Sequence, residues 1–349
     1  MTHEKMGFDL LRLSGRPLSV HKAIVAPDFK SKTVLVTDTW EYVTLWLRRH
    51  HQKSAAFYWE QANQFFDASR DLPNTSSPLT LYYCFLNAVK CLLSVRGIPL
   101  TEYHGVSGES EPGRTSLSNE KIAFKGSGVL AGLCTYLGEP AGGKYSLQDL
   151  LYNLVYIHRA YKLTYSSRPE LFVPVAHPRF VRKSGSNKAW FCAELEGRDA
   201  SLHSVNKLPG FERDNGVETP FTIRRKKRFN WLYGAGHKIK NLQELTRYHR
   251  ELRARLFYIH GPTRLWYLKR GGELDGLIPR SSLTMTFAAM HRLSELARYE
   301  PMGLVRHFEC QHNWLLSEFI ATARTQFIDE ISSEITGQEF MIPGRKSVA

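Results

Sequence analysis

Apolar positions along this 349-residue chain repeat with two different periods, and the period changes along its length. Between Ser54 and Gly97 the period is helical. Ala55, Tyr58, Trp59, Ala62, Phe65 and Phe66 recur at i, i+3, i+4 and i+7 spacing, which puts them on one face of a helix. Ser77-Pro78 then supplies an N-cap and a proline at the first helical position, Gly97 stands where a C-cap glycine would, and Leu79 to Leu93 is apolar nearly all round. These features predict an antiparallel pair of helices at the nucleus of a helical core. Trp40, Val43, Leu45, Trp46 and Leu47 predict a helix leading into the pair, and Ser146 caps a further one through Leu147, Leu150, Leu151, Leu154, Val155 and Ile157.

Elsewhere the runs are shorter. Residues 1–36 carry Phe8 to Leu11, Ile24 to Pro27 and Val34 to Val36 between Gly15, Pro17 and Pro27, and read as an extended arm rather than core. Residues 101–128 read as a glycine-rich loop with one short strand at Ile122 to Phe124. From 165 to 235 the runs become β-like, at Leu171 to Val175, Phe180 to Val181, Ala189 to Ala193 and Thr219 to Ile223, and predict a small antiparallel insertion. Helical periodicity returns over Leu242 to Ile259. After a strand-like Leu265 to Leu268, one helix starts at Ser281 or Ser282 and ends before Pro301, and a last one runs from Leu304 to about Ile331. The predicted organisation is therefore an arm (1–36), an N-terminal helical part (37–164), a β-rich insertion (165–235) and a C-terminal helical part (236–349).

Composition adds partners and compartment. The chain is 42% hydrophobic and 12% aromatic, ample for a core, and its net charge of +14 favours polyanionic partners. Either a nucleic acid, RNA more than DNA, or an acidic protein answers to that charge. It is concentrated at Arg224, Arg225, Lys226, Lys227 and Arg228, followed by Phe229, Trp231 and Tyr233. Basic residues interleaved with aromatics hold phosphates and stack bases, so this cluster with Trp231 is the candidate nucleic-acid site, against the alternative of a charged strand edge. The five cysteines form no CxxC pair, and predict neither a disulfide framework nor a zinc ribbon but a reducing compartment. The N-terminus lacks the apolar run of a signal peptide, and the longest apolar segment is broken by Asn87 and Lys90. A cytoplasmic protein with no membrane partner is expected.

Catalytic motifs are sparse. Gly126-Ser127-Gly128-Val129-Leu130-Ala131 has the first two glycines of a dinucleotide fingerprint and alanine in its sixth place, but the apolar run that ends at Lys125 is too brief for the strand the fingerprint requires, no HExxH or GxSxG occurs, and neither a metal nor a cofactor is expected. His291, Asn87 and Lys90 read as satisfied core or boundary residues.

Four short blocks carry a resemblance: Leu81 to Lys90, His104-Gly105, Tyr145 to Leu151, and Leu296-Ala297-Arg298-Tyr299-Glu300-Pro301. Together they resemble the YaaC-like family of bacterial proteins over most of residues 38–340. The resemblance implies a helical core similar to HEPN bundles, hence an α+β, predominantly helical fold with a HEPN-like bundle and an inserted β-rich segment. It also implies an RNA binder or metal-independent ribonuclease of prokaryotic anti-phage defence, acting as a homodimer or as a subunit of a defence complex.

HEPN ribonucleases use an arginine and a histidine with four to six residues between them, the one stabilising phosphorane charge and the other moving a proton. Five pairs in this chain fit: Arg16/His21, Arg198/His203, Arg253/His260, Arg255/His260 and Arg306/His312. Random placement alone produces about three such matches, so position decides. Arg306 and His312 begin the last predicted helix just after the family-like block and are the first candidates for catalysis. Arg255 and His260 are the second. The alternative is a non-catalytic interaction subunit that docks a partner protein through its basic and helical faces.

Overall fold

The computed structural model describes residues 8–216, 220–263 and 265–341. In chain order, strands β1 (Phe8–Leu10), β2 (Arg12–Leu13), β3 (Arg16–Pro17) and β4 (Val34–Leu35) precede helices α1 (Thr39–Arg49), α2 (Lys53–Ala68) and α3 (Ser77–Val95). Next come β5 (Val106–Ser110), β6 (Glu120–Phe124), α4 (Val129–Leu137), β7 (Gly143–Ser146), α5 (Leu147–Tyr152) and α6 (His158–Thr164). Then follow β8 (Phe172–Lys183), β9 (Lys188–Glu194), α7 (Leu202–Asn206), β10 (Phe211–Arg213), β11 (Thr222–Arg225) and β12 (Phe229–Asn230). The chain closes with α8 (Lys238–Arg253), β13 (Leu256–Ile259), β14 (Leu265–Lys269), α9 (Ser282–Tyr299), α10 (Pro301–Phe308), α11 (Asn313–Thr336) and β15 (Phe340–Met341).

The expected helical pair is present as α2 and α3. Asp38 caps α1 by accepting from the backbone amides of Trp40 and Glu41, and Trp59 of α2 donates its indole N–H to the carbonyl of Trp40. α3 is long and apolar enough to cross a membrane, yet most of it is buried, as in the core helix of a folded domain. It packs on α2, α9 and α11, with Phe85 stacked on Phe327 at 4.1 Å between ring centroids. Burying a phenylalanine or leucine in such a position is worth about 1.5–3 kcal/mol.

The β-rich part is not an insertion into a bundle, and this corrects the expected fold. The protein is 45% helix and 19% strand, built on a large antiparallel sheet curled into a half-barrel. Its strand order is β10-β11-β9-β8-β14-β13, with β1 added along β8 and β12 along β9. β1, β13 and β14 come from outside residues 165–235, so the sheet is assembled from segments before and after the predicted insertion. A register shift between Ala176 and Arg179, where His177 takes a left-handed φ of 49°, bends the long strand β8. Its first half then pairs with β14 and its last residues with β1. α8 lies over the sheet and closes a second core of Phe180, Phe191, Phe229, Tyr248, Leu252 and Trp266. Leu11, Leu13, Leu18 and Val20 of the N-terminal stretch belong to this core, so the expected arm is interior structure there.

Two predicted helices divide. Leu242 to Ile259 becomes α8 plus β13, because Leu256-Phe257-Tyr258-Ile259 pairs in full register with Leu268 to Leu265. The C-terminal helix becomes α10 and α11, broken between Phe308 and Asn313. The predicted loop 101–128 contains the hairpin β5-β6, and the predicted strand Thr219 to Ile223 begins outside the described residues and is observed from Thr222.

Candidate functional site

The four residues His291, Ser294, Glu295 and Arg298 stand at i, i+3, i+4 and i+7, so they share one face of α9, a helix otherwise almost wholly buried. That stripe forms one wall of a cleft of about 580 Å³. Tyr82 and Tyr83 of α3 face it, Glu102, Tyr103 and His104 close one end, and Lys125 and Ser127 after β6 close another.

The loop carrying His104 is held by backbone. Val129 and Leu130, opening α4, donate their N–H groups to the carbonyls of Tyr103 and His104, and Lys125 donates to Gly105. The approach is close enough to require glycine twice. A Cβ on Gly128, whose φ is +111°, would lie 2.3 Å from the backbone nitrogen of Gly105, itself at φ +80°. Gly126-Ser127-Gly128 is thus a clasp for the histidine loop.

Within the cleft, the Tyr82 hydroxyl is hydrogen-bonded to Nδ1 of His104, and the rings of His104 and His291 are 5.8 Å apart between centroids. Burial is the first cause that lowers both histidines. His104 is further lowered by Lys90 and Arg298, and His291 falls to about 3 with His104 and Arg292 beside it. Both are therefore neutral bases at pH 7 when the cleft is free. Burial raises Tyr82, with Tyr83 and Glu295 adding to it, so its hydroxyl keeps its proton.

Behind this wall runs a chain of charged groups. Glu295 lies 3.7 Å from Nδ1 of His291 and accepts from the Gly108 amide at 3.1 Å and from Arg292 at 3.2 Å. Arg292 also donates to Glu120 at 2.7 and 2.9 Å and to Ser110. Glu120 meets Nε2 of His307 at 3.0 Å, and Nδ1 of His307 meets Nε2 of His312 at 2.9 Å. With the carboxylate accepting from Nε2–H of His307, its Nδ1 is the acceptor and His312 the donor. Burial would raise Glu120, but the hydrogen bonds from His307 and Arg292 outweigh it and hold it ionised.

This arrangement separates the first sequence candidates. His312 is 2% exposed, lowered to about 4 chiefly by burial, and turned inward, whereas Arg306 is exposed on α10. The six-residue spacing crosses the break between α10 and α11, so the two side chains do not share a face. Arg255 and His260 flank opposite ends of β13, about 16 Å of extended chain apart. His260 packs instead against Asp329, 3.2 Å away, and neither pair assembles a site.

The basic cluster is largely spent on internal pairing. Arg224 binds Glu212 at 2.8 Å and lies 3.6 Å from Asp214, while Arg225 and Lys227 share Glu251 at 3.1 and 2.7 Å. Arg228 lies over the Trp190 ring, Lys226 is exposed, and Trp231 is buried in the second core, unable to stack a base. The neighbouring strand β10 supplies Glu212 and the overlying helix α8 supplies Glu251, counterions that a reading of the cluster alone does not contain.

Missed in the sequence were His104, His291, Glu295, Arg298 and Lys125 as a group. The polar i, i+3, i+4, i+7 stripe on an apolar helix was the available signal for three of them. Among the described residues, no group of three or more His, Cys, Asp or Glu is placed to hold a metal ion.

Three of the four blocks that carry the family resemblance meet at this cleft: α3 through Tyr82 and Tyr83, the His104-Gly105 loop, and the end of α9 through Arg298 and Tyr299. No curated protein and no solved structure matches the chain. The family model for YaaC-like proteins matches residues 24–335, and the chain belongs to that family.

Proposed function

We propose that this protein acts on single-stranded RNA and cleaves it without a metal in the His104–His291 cleft. The observation that carries the reading is the pair of neutral histidines 5.8 Å apart, with Lys125 and Arg298 lining the same cleft. Metal-free RNA cleavage needs a base, an acid and a cation for the phosphorane, and such a pair with two cations supplies all three. Tyr103 and Tyr299, 74% and 67% exposed at the rim, offer faces on which bases stack.

In this reading His104, its Nδ1–H donating to the Tyr82 oxygen, takes at Nε2 the proton of a ribose 2′-hydroxyl as its oxygen attacks the adjacent phosphorus. The phosphate in the cleft, with Glu295 near its Nδ1, raises His291, which takes up a proton from solvent as the RNA binds. As the phosphorus–5′-oxygen bond breaks, His291 protonates the departing oxygen. The products are a 2′,3′-cyclic phosphate and a 5′-hydroxyl, with His104 left protonated and His291 neutral. Lys125 and Arg298 bear the added negative charge of the transition state. Glu120, Arg292, His307 and His312 are positioning residues that hold Glu295 in place.

The test is incubation with labelled single-stranded RNA in EDTA, comparing the wild type with His104→Gln and His291→Asn. Cleavage with cyclic-phosphate ends, lowered about 100-fold or more in His104→Gln, is expected. Intact RNA that is still bound would overturn the enzymatic reading in favour of a binding module, and RNA neither cut nor bound would overturn both.

A further inference from the structure

A second cavity, of about 310 Å³, lies where the helical half meets the sheet. The α4–β7 turn, the end of α8, the facing strands β13 and β14 and the approach to α9 enclose it. Five cations line it, Arg250, Arg253, Arg255, Lys269 and Arg280, against one carboxylate, Glu139. Two of the five are engaged elsewhere. Arg280 pairs with Glu139 at 3.4 Å, and Arg253, wholly buried, gives its guanidinium N–H groups to the Leu256 and Lys22 carbonyls with Glu330, Glu334 and Glu339 behind it. Glu139 also caps α9, accepting from the Ser281 amide at 2.7 Å, so the helix terminus is already satisfied.

Arg250, Arg255 and Lys269 are left. Among the described residues, none of the three has a carboxylate within ion-pair distance. Arg250 donates to the Tyr136 carbonyl at 3.3 Å and Lys269 to the Ile278 carbonyl at 2.8 Å, which satisfies donors without cancelling charge. Lys269 is only 4% exposed, and a buried ammonium without a counterion is costly. Three uncompensated cations around one cavity match the charge of a phosphate dianion better than that of a single carboxylate. Leu137, Pro140, Phe257 and Leu277 supply an apolar wall for an organic body, and the volume lies at the small end of ligand pockets.

We propose that this cavity binds a small phosphorylated metabolite, with its phosphate held by Arg250, Arg255 and Lys269 and its body against Phe257 and Leu277. The site is separate from the His104 cleft, and the proposal stands independently of the RNA reading.

A further consequence concerns protons. Burial, with Arg255 adding to it and Glu139 opposing, lowers Lys269 to about 7. The other charged groups lining the cavity are Arg250, Arg253 and Arg280, all permanently charged. A bound dianion would raise Lys269 again, so binding at pH 8 takes up a proton.

The test is titration calorimetry of the whole protein with adenosine monophosphate, glucose 6-phosphate, inorganic phosphate and benzoate, in two buffers of different ionisation enthalpy. Binding of at least one ester is expected, with proton uptake at pH 8 that disappears in Lys269→Met, and about tenfold weaker affinity in Arg255→Ala and Lys269→Met. Lys269→Met also removes a buried charge, so a folded variant is expected and thermal melting verifies it. Binding of no ester, benzoate binding as tightly as the esters, or unchanged affinity in Lys269→Met would each overturn the proposal. Inorganic phosphate binding as tightly as its esters would reduce the cavity to an ion site and overturn it as well.

Discussion

Asp329 and Glu330 are neighbours on α11, both wholly buried, and their surroundings push them in opposite directions. Burial would raise Asp329, but the Lys22 ammonium, 2.8 Å away, and His260 outweigh it and hold it at about 2. Burial wins for Glu330, which rises to about 7 despite hydrogen bonds from Ser282 and Gln326. The linkage signs follow. Asp329 is lowered in the folded state, so its stabilisation, on the order of 2 kcal/mol, is present above pH 4 and lost as the pH falls towards 2. Glu330 is raised, so ionisation of the unfolded chain destabilises the fold between pH 4.5 and 7, after which the loss levels off. Melting curves from pH 3 to 8 should therefore peak near pH 4–5 as far as these two groups go. In Glu330→Gln the decline from pH 5 to 7.5 should shrink, and an unchanged profile would show that Glu330 is not the cause. Removal of the lysine partner in Lys22→Met leaves the buried Asp329 carboxylate with only His260 and the Tyr258 hydroxyl and should cost about 3 kcal/mol, the low end for a broken buried pair, in a denaturant titration.

At the scale of elements, the cleft depends on two glycines that bring separate loops together. Gly128→Ala places a methyl group against the backbone of Gly105 and is expected to free the His104 loop. Loss of about 1–3 kcal/mol of stability and earlier amide exchange at Tyr103 to Gly105 should follow, whereas Gly126→Ala, with open space at its Cβ, should leave both unchanged. The same scale explains which elements were legible. α2, α3 and α9 show clear helical periodicity with caps or stop signals, and the sequence located all three. Leu256 to Ile259 fits helix and strand equally by periodicity, and only β14 alongside makes it a strand. The break between α10 and α11 comes without a proline or glycine within it, at His312, where a buried hydrogen bond to His307 replaces a continuous helix. The sequence pattern puts Arg306 and His312 at the start of one helix, and this break puts them on two.

For the whole molecule, net charge is a poor guide to where RNA docks. Arg224, Arg225 and Lys227 face acids, and cations already paired add little affinity for a new anion until those pairs are broken. Lys125 and Arg298 line the open cleft without an ion-paired acid among the described residues. Neutralising Lys125 and Arg298 together is expected to weaken RNA binding and to lower the slope of log affinity against log salt by about two. Neutralising Arg224 and Arg225 should change that slope by less than one. Equal effects would return the nucleic-acid site to β11.

What the sequence determined by itself is the material that acts locally: the α2–α3 pair, the caps of α5 and α9, the buried character of α3, and membership of a family through short blocks. Those depend on periods of a few residues and on hydrogen bonds within one turn. The half-barrel, the counterions of the basic cluster, the clasp on His104 and the convergence of His104 with His291 were decided by tertiary structure alone. Each joins residues from distant parts of the chain, 187 positions apart for the two histidines' loop and helix, and no local period records such a pairing. A strand finds its partner, and a charge its counterion, only when the rest of the chain has folded around it.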